Sequence, residues 1–179
     1  FAILKHSRKR NICMNLRAPI LIADTSTLLN LYASDRFEDI LTAIAIPVSI
    51  AENVVNESRY ILRNGQKEMI DLQPYISKGL LLVVTFESEE EESTFIQFSQ
   101  DIDDGESATG AIAYHRKWDI ATDDKKARTI FARDIPDCVC VGTPDIIKHT
   151  AEFFKWEDDI LRMLIQTIYI QSRFRPQKN

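Results

Sequence analysis

The chain has few of the signals that usually announce a cofactor site, and each absence removes a class of function. No Gly-x-Gly-x-x-Gly and no Walker-type loop occurs in its 179 residues, which disfavours dinucleotide and nucleoside-triphosphate binding, because those phosphates are held by such backbone cradles. Histidine is limited to His6, His115 and His149. With no two-His helical pair among them, neither a zinc site nor a His-activated nucleophile is supported. Cysteine is limited to Cys13, Cys138 and Cys140, an odd number without a disulfide-framework spacing, so a reducing, cytoplasmic compartment is expected. Cys138 and Cys140 alternate with Val139 and Val141 and read as buried strand residues, not as a metal pair. The apolar stretch 76–86 is interrupted by Ser77, Lys78 and Gly79, too short to span a bilayer. There is no excess of basic charge: 22 Lys and Arg face 27 Asp and Glu, a net charge of −5. That argues against a large basic nucleic-acid footprint but leaves room for an acidic pocket neutralised by divalent metal.

The remaining composition, 45% hydrophobic and 27% charged, is that of an ordinary globular chain long enough to bury a real core in one compact domain. No repeat, low-complexity segment or interdomain linker interrupts it. The opening residues 1–13 carry a basic cluster without the apolar run of a signal peptide. Met14 is a candidate native start, which gives residues 1–19 the character of an N-terminal extension with little functional weight.

Strands and helices alternate along the sequence. Short apolar strands are expected over 20–23, 44–50, 80–85, 118–122 and 138–141, with 80–85 paired at an edge with the short segment near Leu72. Helices are expected over 25–31, 37–43, 52–64 with Gly65 as the stop, from Glu89 after an N-cap at Ser88, over 107–116, 124–132 and 146–154, and over 157–172. Thr143 with Pro144 reads as N-cap and N1 of the helix that follows. A β-α-β-α pattern of this kind gives an α/β fold, a three-layer α/β/α sandwich around a central, mostly parallel sheet.

Acidic residues recur where these apolar strands end or where helices begin: Asp24 after Leu21-Ile22-Ala23, Glu57 in Val54-Val55-Asn56-Glu57-Ser58, Asp104 and Glu106 in Asp103-Asp104-Gly105-Glu106, and Asp123 and Asp124 after Ala121-Thr122. Taken singly each has a plain structural reading. Asp24 and the Asp123-Asp124 pair can be helix caps, the Asp103–Glu106 stretch a capped turn, and Glu57 an exposed helical acid beside Arg59 and Arg63. Taken together, carboxylates at strand ends converge in the crevice at the carboxyl edge of a parallel sheet. Clustered hard oxygen ligands are what Mg²⁺ or Mn²⁺ requires.

In this order and context the four stretches resemble the PIN-domain nucleases across roughly residues 20–154, with 155–179 as a C-terminal helical extension and tail. The resemblance implies a metal-dependent endoribonuclease hydrolysing single-stranded RNA, using Mg²⁺ or Mn²⁺. Small prokaryotic members are toxins of toxin–antitoxin pairs, so it also implies a protein antitoxin and a homodimer as partners. Carried over residue by residue, the catalytic acids are Asp24, Glu57, Glu106 and Asp123. The metal ligands are Asp24, Glu106, Asp123, Asp124 and Asp104. Glu52 competes with Glu57 for the second position.

Thr25, Ser26, Asn30 and Thr122 are candidates to hydrogen-bond the acids. Lys125, Lys126 and Arg128 are candidates for phosphate contact or a solvated helix face. Phe95, Phe98, Phe153, Phe154 and Trp156 read mainly as core or interface. Two other classes compete. One is a non-catalytic PIN-like module that binds protein or RNA, with the apolar face of 157–169 as a docking surface. The other is a phospho-receiver, disfavoured because Asp24 follows Ala23 with no acidic pair and no Lys lies in 138–141.

Overall fold

A computed structural model describes residues 14–172 of the protein. In chain order its elements are β1 (Leu21–Ala23), α1 (Thr25–Tyr32), α2 (Phe37–Ile44), β2 (Val48–Ala51), α3 (Glu52–Glu57), β3 (Tyr60–Arg63), β4 (Gln66–Met69), α4 (Gln73–Ser77), β5 (Leu81–Val84), α5 (Glu89–Phe98), α6 (Asp104–Arg116), β6 (Asp119–Ala121), α7 (Lys125–Asp134), β7 (Cys140–Val141), α8 (Thr143–Phe154) and α9 (Asp158–Gln171). Five strands form one sheet in the order β5-β2-β1-β6-β7, every pair parallel. Every residue of β1, β2 and β6 is buried, as expected for parallel strands covered on both faces. Helices α1, α2 and α8 pack together, as do α3, α5, α6 and α7 with α6 as their hub. The α/β/α sandwich expected from the sequence is therefore the observed fold.

The strand order places the site. From β1 the chain moves outward through β2 to β5, then crosses back to β6 on the other side of β1. That reversal between β1 and β6 leaves a crevice beyond their carboxyl ends, the usual ligand position in open α/β sheets. The back edge of the same pair is closed by a buried carboxylate: Asp119 accepts from the amides of Arg17 (2.6 Å), Ala18 (2.8 Å) and Val139 (2.9 Å).

Several elements differ from the sequence expectation, each for a local reason. The helix expected over 52–64 ends at Glu57, and 60–69 instead forms an antiparallel hairpin. Tyr60, Ile61 and Leu62 favour a strand, and Asn64-Gly65 supplies two consecutive positive φ angles, 52° and 77°, as a two-residue hairpin turn requires. The segment near Leu72 is not a strand but the cap of α4, and β5 pairs with β2. Helix α2 keeps Ile44, and left-handed Ala45 (φ 60°) delays β2 to Val48. Gly142, not Thr143, caps α8, closing a bond from its amide to Asp145 at 2.9 Å. Helix α6 begins at Asp104 with Asp103 as its N-cap. Cys138 precedes β7, and both it and Cys140 are half-buried. Burial pushes both thiols up, that of Cys140 to about 11. The basic cluster before Met14 and the tail from Arg173 onward lie outside the described residues. Among the described residues no helix is long and apolar enough to cross a membrane.

Close helix packing depends on Gly110 of α6. A Cβ there would collide with Cε1 of the Phe131 ring of α7 and stand 2.8 Å from its Cζ, and Phe131 is itself fully buried against Phe98 at 5.8 Å between centroids. Gly110→Ala is therefore expected to destabilise the protein by about 1–3 kcal/mol through overpacking, although alanine is the better helix former. Urea unfolding measures this; an unchanged or raised midpoint would show that the ring gives way freely.

Candidate active site

Asp24 ends β1 and caps α1, and its carboxylate is fully buried. Oδ1 accepts from the Thr27 amide at 2.7 Å, while Oδ2 accepts from the hydroxyls of Ser26 (2.9 Å) and Thr122 (2.6 Å). The Thr122 hydroxyl in turn accepts from the Asp124 amide at 3.1 Å. One side chain at the end of β6 thus fixes two acids from different strands. Asp124 caps α7 through the Ala127 amide at 2.7 Å.

Glu57, at the end of α3, accepts from the Thr25 hydroxyl (2.5 Å) and the Gly105 amide (2.9 Å). Gly105 is required for this approach, since a Cβ would stand 2.5 Å from Glu57 Oε2. Asp123 is held by three donors: the Asn30 amide group and the Thr143 amide, each at 2.8 Å, and the Thr143 hydroxyl. Glu106 rises from the first turn of α6.

These acids line a cavity of about 1270 Å³ beyond the sheet edge. Asp103, Glu106, Asp123, Asp124 and Glu57 all face it, with Lys125 and Arg128 on the α7 side. Its outer wall is the hairpin, through Tyr60, Ile61, Leu62 and Lys67, together with the last residues of α9.

Placement separates the expected residues. Asp24, buried behind this surface, is coupled to Glu106 by charge. Asp104, one residue from the N-cap, is outside the lining, whereas Asp103 belongs to it and was missed from the sequence. Glu57 lines the cavity and Glu52 does not. Thr25, Ser26, Asn30 and Thr122 each hydrogen-bond an acid. Thr143, read only as a helix cap, is a principal partner of Asp123. Arg128 donates to the carbonyls of Thr122 (3.1 Å) and Cys140 (3.3 Å), tying the strand ends together, and Lys126 bonds the Asp101 carbonyl.

The electrostatics of the site are those of uncompensated negative charge. Among the described residues none of Asp24, Glu57, Asp103, Glu106, Asp123 and Asp124 forms an ion pair. Burial lifts Asp24 to about 6 against the stabilising pull of its donors. Burial, then the charges of Asp24, Asp103 and Asp124, lift Glu106 to about 7. Such a set suits a hard divalent cation in donor type and charge. Among the described residues no three Asp, Glu, His or Cys side chains form a ready cage for an ion. This is compatible with Mg²⁺, which keeps several waters and uses one or two carboxylates.

The shift of Asp24 fixes a sign. Its folded-state value exceeds the ordinary 3.8, so the fold favours the neutral acid, and stability falls as pH rises from about 4 to about 6. The penalty at neutral pH is about 3 kcal/mol. Asn fits the same place, because Thr122 Oγ1 can accept from its amide while still accepting from Asp124. In chelator-treated protein Asp24→Asn is expected to raise Tm at pH 7.5 by about 6–12 °C. The gain should vanish near pH 4. A calorimetric scan showing no gain at pH 7.5 would mean that the donors already compensate the charge.

Among solved structures, one similar chain is in the crystal structure of VapBC2 from Rickettsia felis bound to a DNA fragment from their promoter, at 17% identity and a TM-score of 0.43, covering 69% of this chain and 98% of that one. No curated protein matches the sequence. A family model described as a PIN domain matches residues 20–143, which span β1 through the start of α8 and contain all of the acids above; the chain belongs to the PIN-domain family.

Proposed function

We propose that the protein is a Mg²⁺- or Mn²⁺-dependent endoribonuclease acting on single-stranded RNA. The observation that carries this reading is the gathering of Asp24, Glu106 and Asp124 at the β1/β6 crevice, where among the described residues none of them forms an ion pair. Asp24 and Glu106 would hold the metal, with Asp124 and Asp123 beside them. A divalent ion there supplies charge stabilisation at the phosphodiester oxygens and lowers the pKa of water toward neutrality.

The chain's own residues do the positioning. Ser26, Thr27 and Thr122 fix both oxygens of Asp24, so its orientation does not depend on the ligand. Glu57 is clamped between Thr25 and Gly105 and is suited to orient a water or a substrate hydroxyl. Asp123, with three donors of its own, is held as firmly as Asp24 and shapes the wall beside it. Lys125, beside Asp124 on the cavity wall, is the α7 cation left to meet a phosphate, since Arg128 and Lys126 are committed to carbonyls.

A second reading, a partner-binding role, is favoured by α9, which exposes Met163 (68%), Ile170 (68%) and Ile165 (42%) on its outer side. A protein antitoxin or a second copy of the chain would cover such apolar surface. The two readings are compatible. A toxin role and a cytoplasmic location belong with the first and rest on the family resemblance.

Labelled mixed-sequence single-stranded RNA incubated with the purified protein should be cleaved in Mg²⁺ or Mn²⁺, not in chelator. Asp24→Asn and Glu106→Gln should each lower the rate at least 100-fold, the scale of losing a group that stabilises transition-state charge. Mg²⁺ should also raise the Tm of the unsubstituted protein and not that of Asp24→Asn. Metal-independent cleavage, or cleavage surviving both substitutions, would remove this site from the reaction.

A further inference from the structure

The β3–β4 hairpin is built as a two-faced element, and its faces have different work. Cross-strand pairing places Ile61, Arg63 and Glu68 on one face. Ile61 is buried, and Arg63 is ion-paired with Glu68 (2.6 Å) and with Asp35 in the α1–α2 loop. Asp35 also accepts from Gln171 at the end of α9 (3.3 Å). This face anchors the hairpin to the body of the domain. The opposite face carries Tyr60, Leu62, Lys67 and Met69, and three of the four line the acidic cavity, beside Ile61 of the anchoring face. Lys67 Nζ lies 4.4 Å over the Tyr60 ring, while Leu62 and Met69 stay 38% and 69% exposed.

A polyanion entering this cavity meets carboxylates on the floor, so its affinity must come from the walls. On the α7 wall Lys125 is the uncommitted cation. On the facing element only Lys67 is available, and it stands beside an aromatic ring. An aromatic face next to a cation is the combination that holds single-stranded nucleic acid, the ring stacking on a base and the cation meeting the adjacent phosphate. We propose that the hairpin is the arm that grips the substrate strand, with Tyr60 stacking on a base and Lys67 contacting a phosphate; this rests on the nuclease reading above. A stacked base must be unpaired, so the arm also selects single strands over duplex.

The test measures binding apart from chemistry. In a Glu106→Gln background with Mg²⁺, the anisotropy of a labelled mixed-sequence oligoribonucleotide gives Kd as a function of salt. Adding Lys67→Gln should weaken binding roughly tenfold and lower the slope of log affinity against log salt by about 0.7, the value of one phosphate contact on a single strand. Adding Tyr60→Leu should weaken binding roughly tenfold with the slope unchanged. Tyr60→Phe should bind like the parent, and urea midpoints equal to the parent's exclude unfolding as the cause. If both hairpin variants bind as the parent does while the unsubstituted protein cleaves RNA, the arm is refuted and the nuclease reading stands. If the parent binds no RNA and the unsubstituted protein cleaves none, both fall, and the exposed hairpin face passes to a protein partner.

Discussion

The β1/β6 crevice is built around the mutual repulsion of carboxylates that, among the described residues, form no ion pair. Burial holds Asp24 and Glu106 well above the ordinary carboxylate range, so the native state carries the cost of holding charge where water is scarce. The hydroxyls of Ser26, Thr25, Thr122 and Thr143 spread that cost. They are neutral donors, so they stabilise each carboxylate without cancelling its charge. A lysine in their place would instead have cancelled the charge, at the cost of desolvating a second ion.

The cost is affordable because it falls at one edge of a fully buried sheet. The apolar triplets of β1 and β6 are packed on both faces, and α6 lies close on the sheet through a run of small residues, Gly105, Ala108, Ala111 and Ala113 among them. The contrast with Asp119 is instructive. It is as buried as Asp24 and begins β6 where Asp24 follows β1, yet it is held by three backbone amides. An acid satisfied in that way is a structural clamp. Asp24 has a single backbone amide and two hydroxyls that can reverse their bonds, and is the more adaptable of the two.

Much of this arrangement was legible in the sequence because it is local. An apolar triplet followed by Asp and hydroxyl residues defines both a strand end and a donor that orients the acid, which is why Ser26 is legible with Asp24, whereas the Thr25 hydroxyl turns to Glu57 instead. What depended on exact register or on distant contact was not legible. Asp103 and Asp104 differ by about 100° around a helix, so a start misplaced by a few residues picks the wrong one. Thr143 reaches Asp123 across twenty residues through the β6–β7 pairing. The hairpin is a different case, since Asn64-Gly65 is a strong turn signal and was passed over in favour of a helix ending at the glycine.

The two ends of the described chain leave from opposite edges of the sheet. Arg17 and Ala18 are bound to Asp119 at the back edge, whereas Gln171 and Ser172 line the cavity itself. A fusion joined directly after Ser172 would therefore begin its path at the mouth of the site, where it competes with whatever binds there, and one joined directly before Arg17 would start on the far side of the domain.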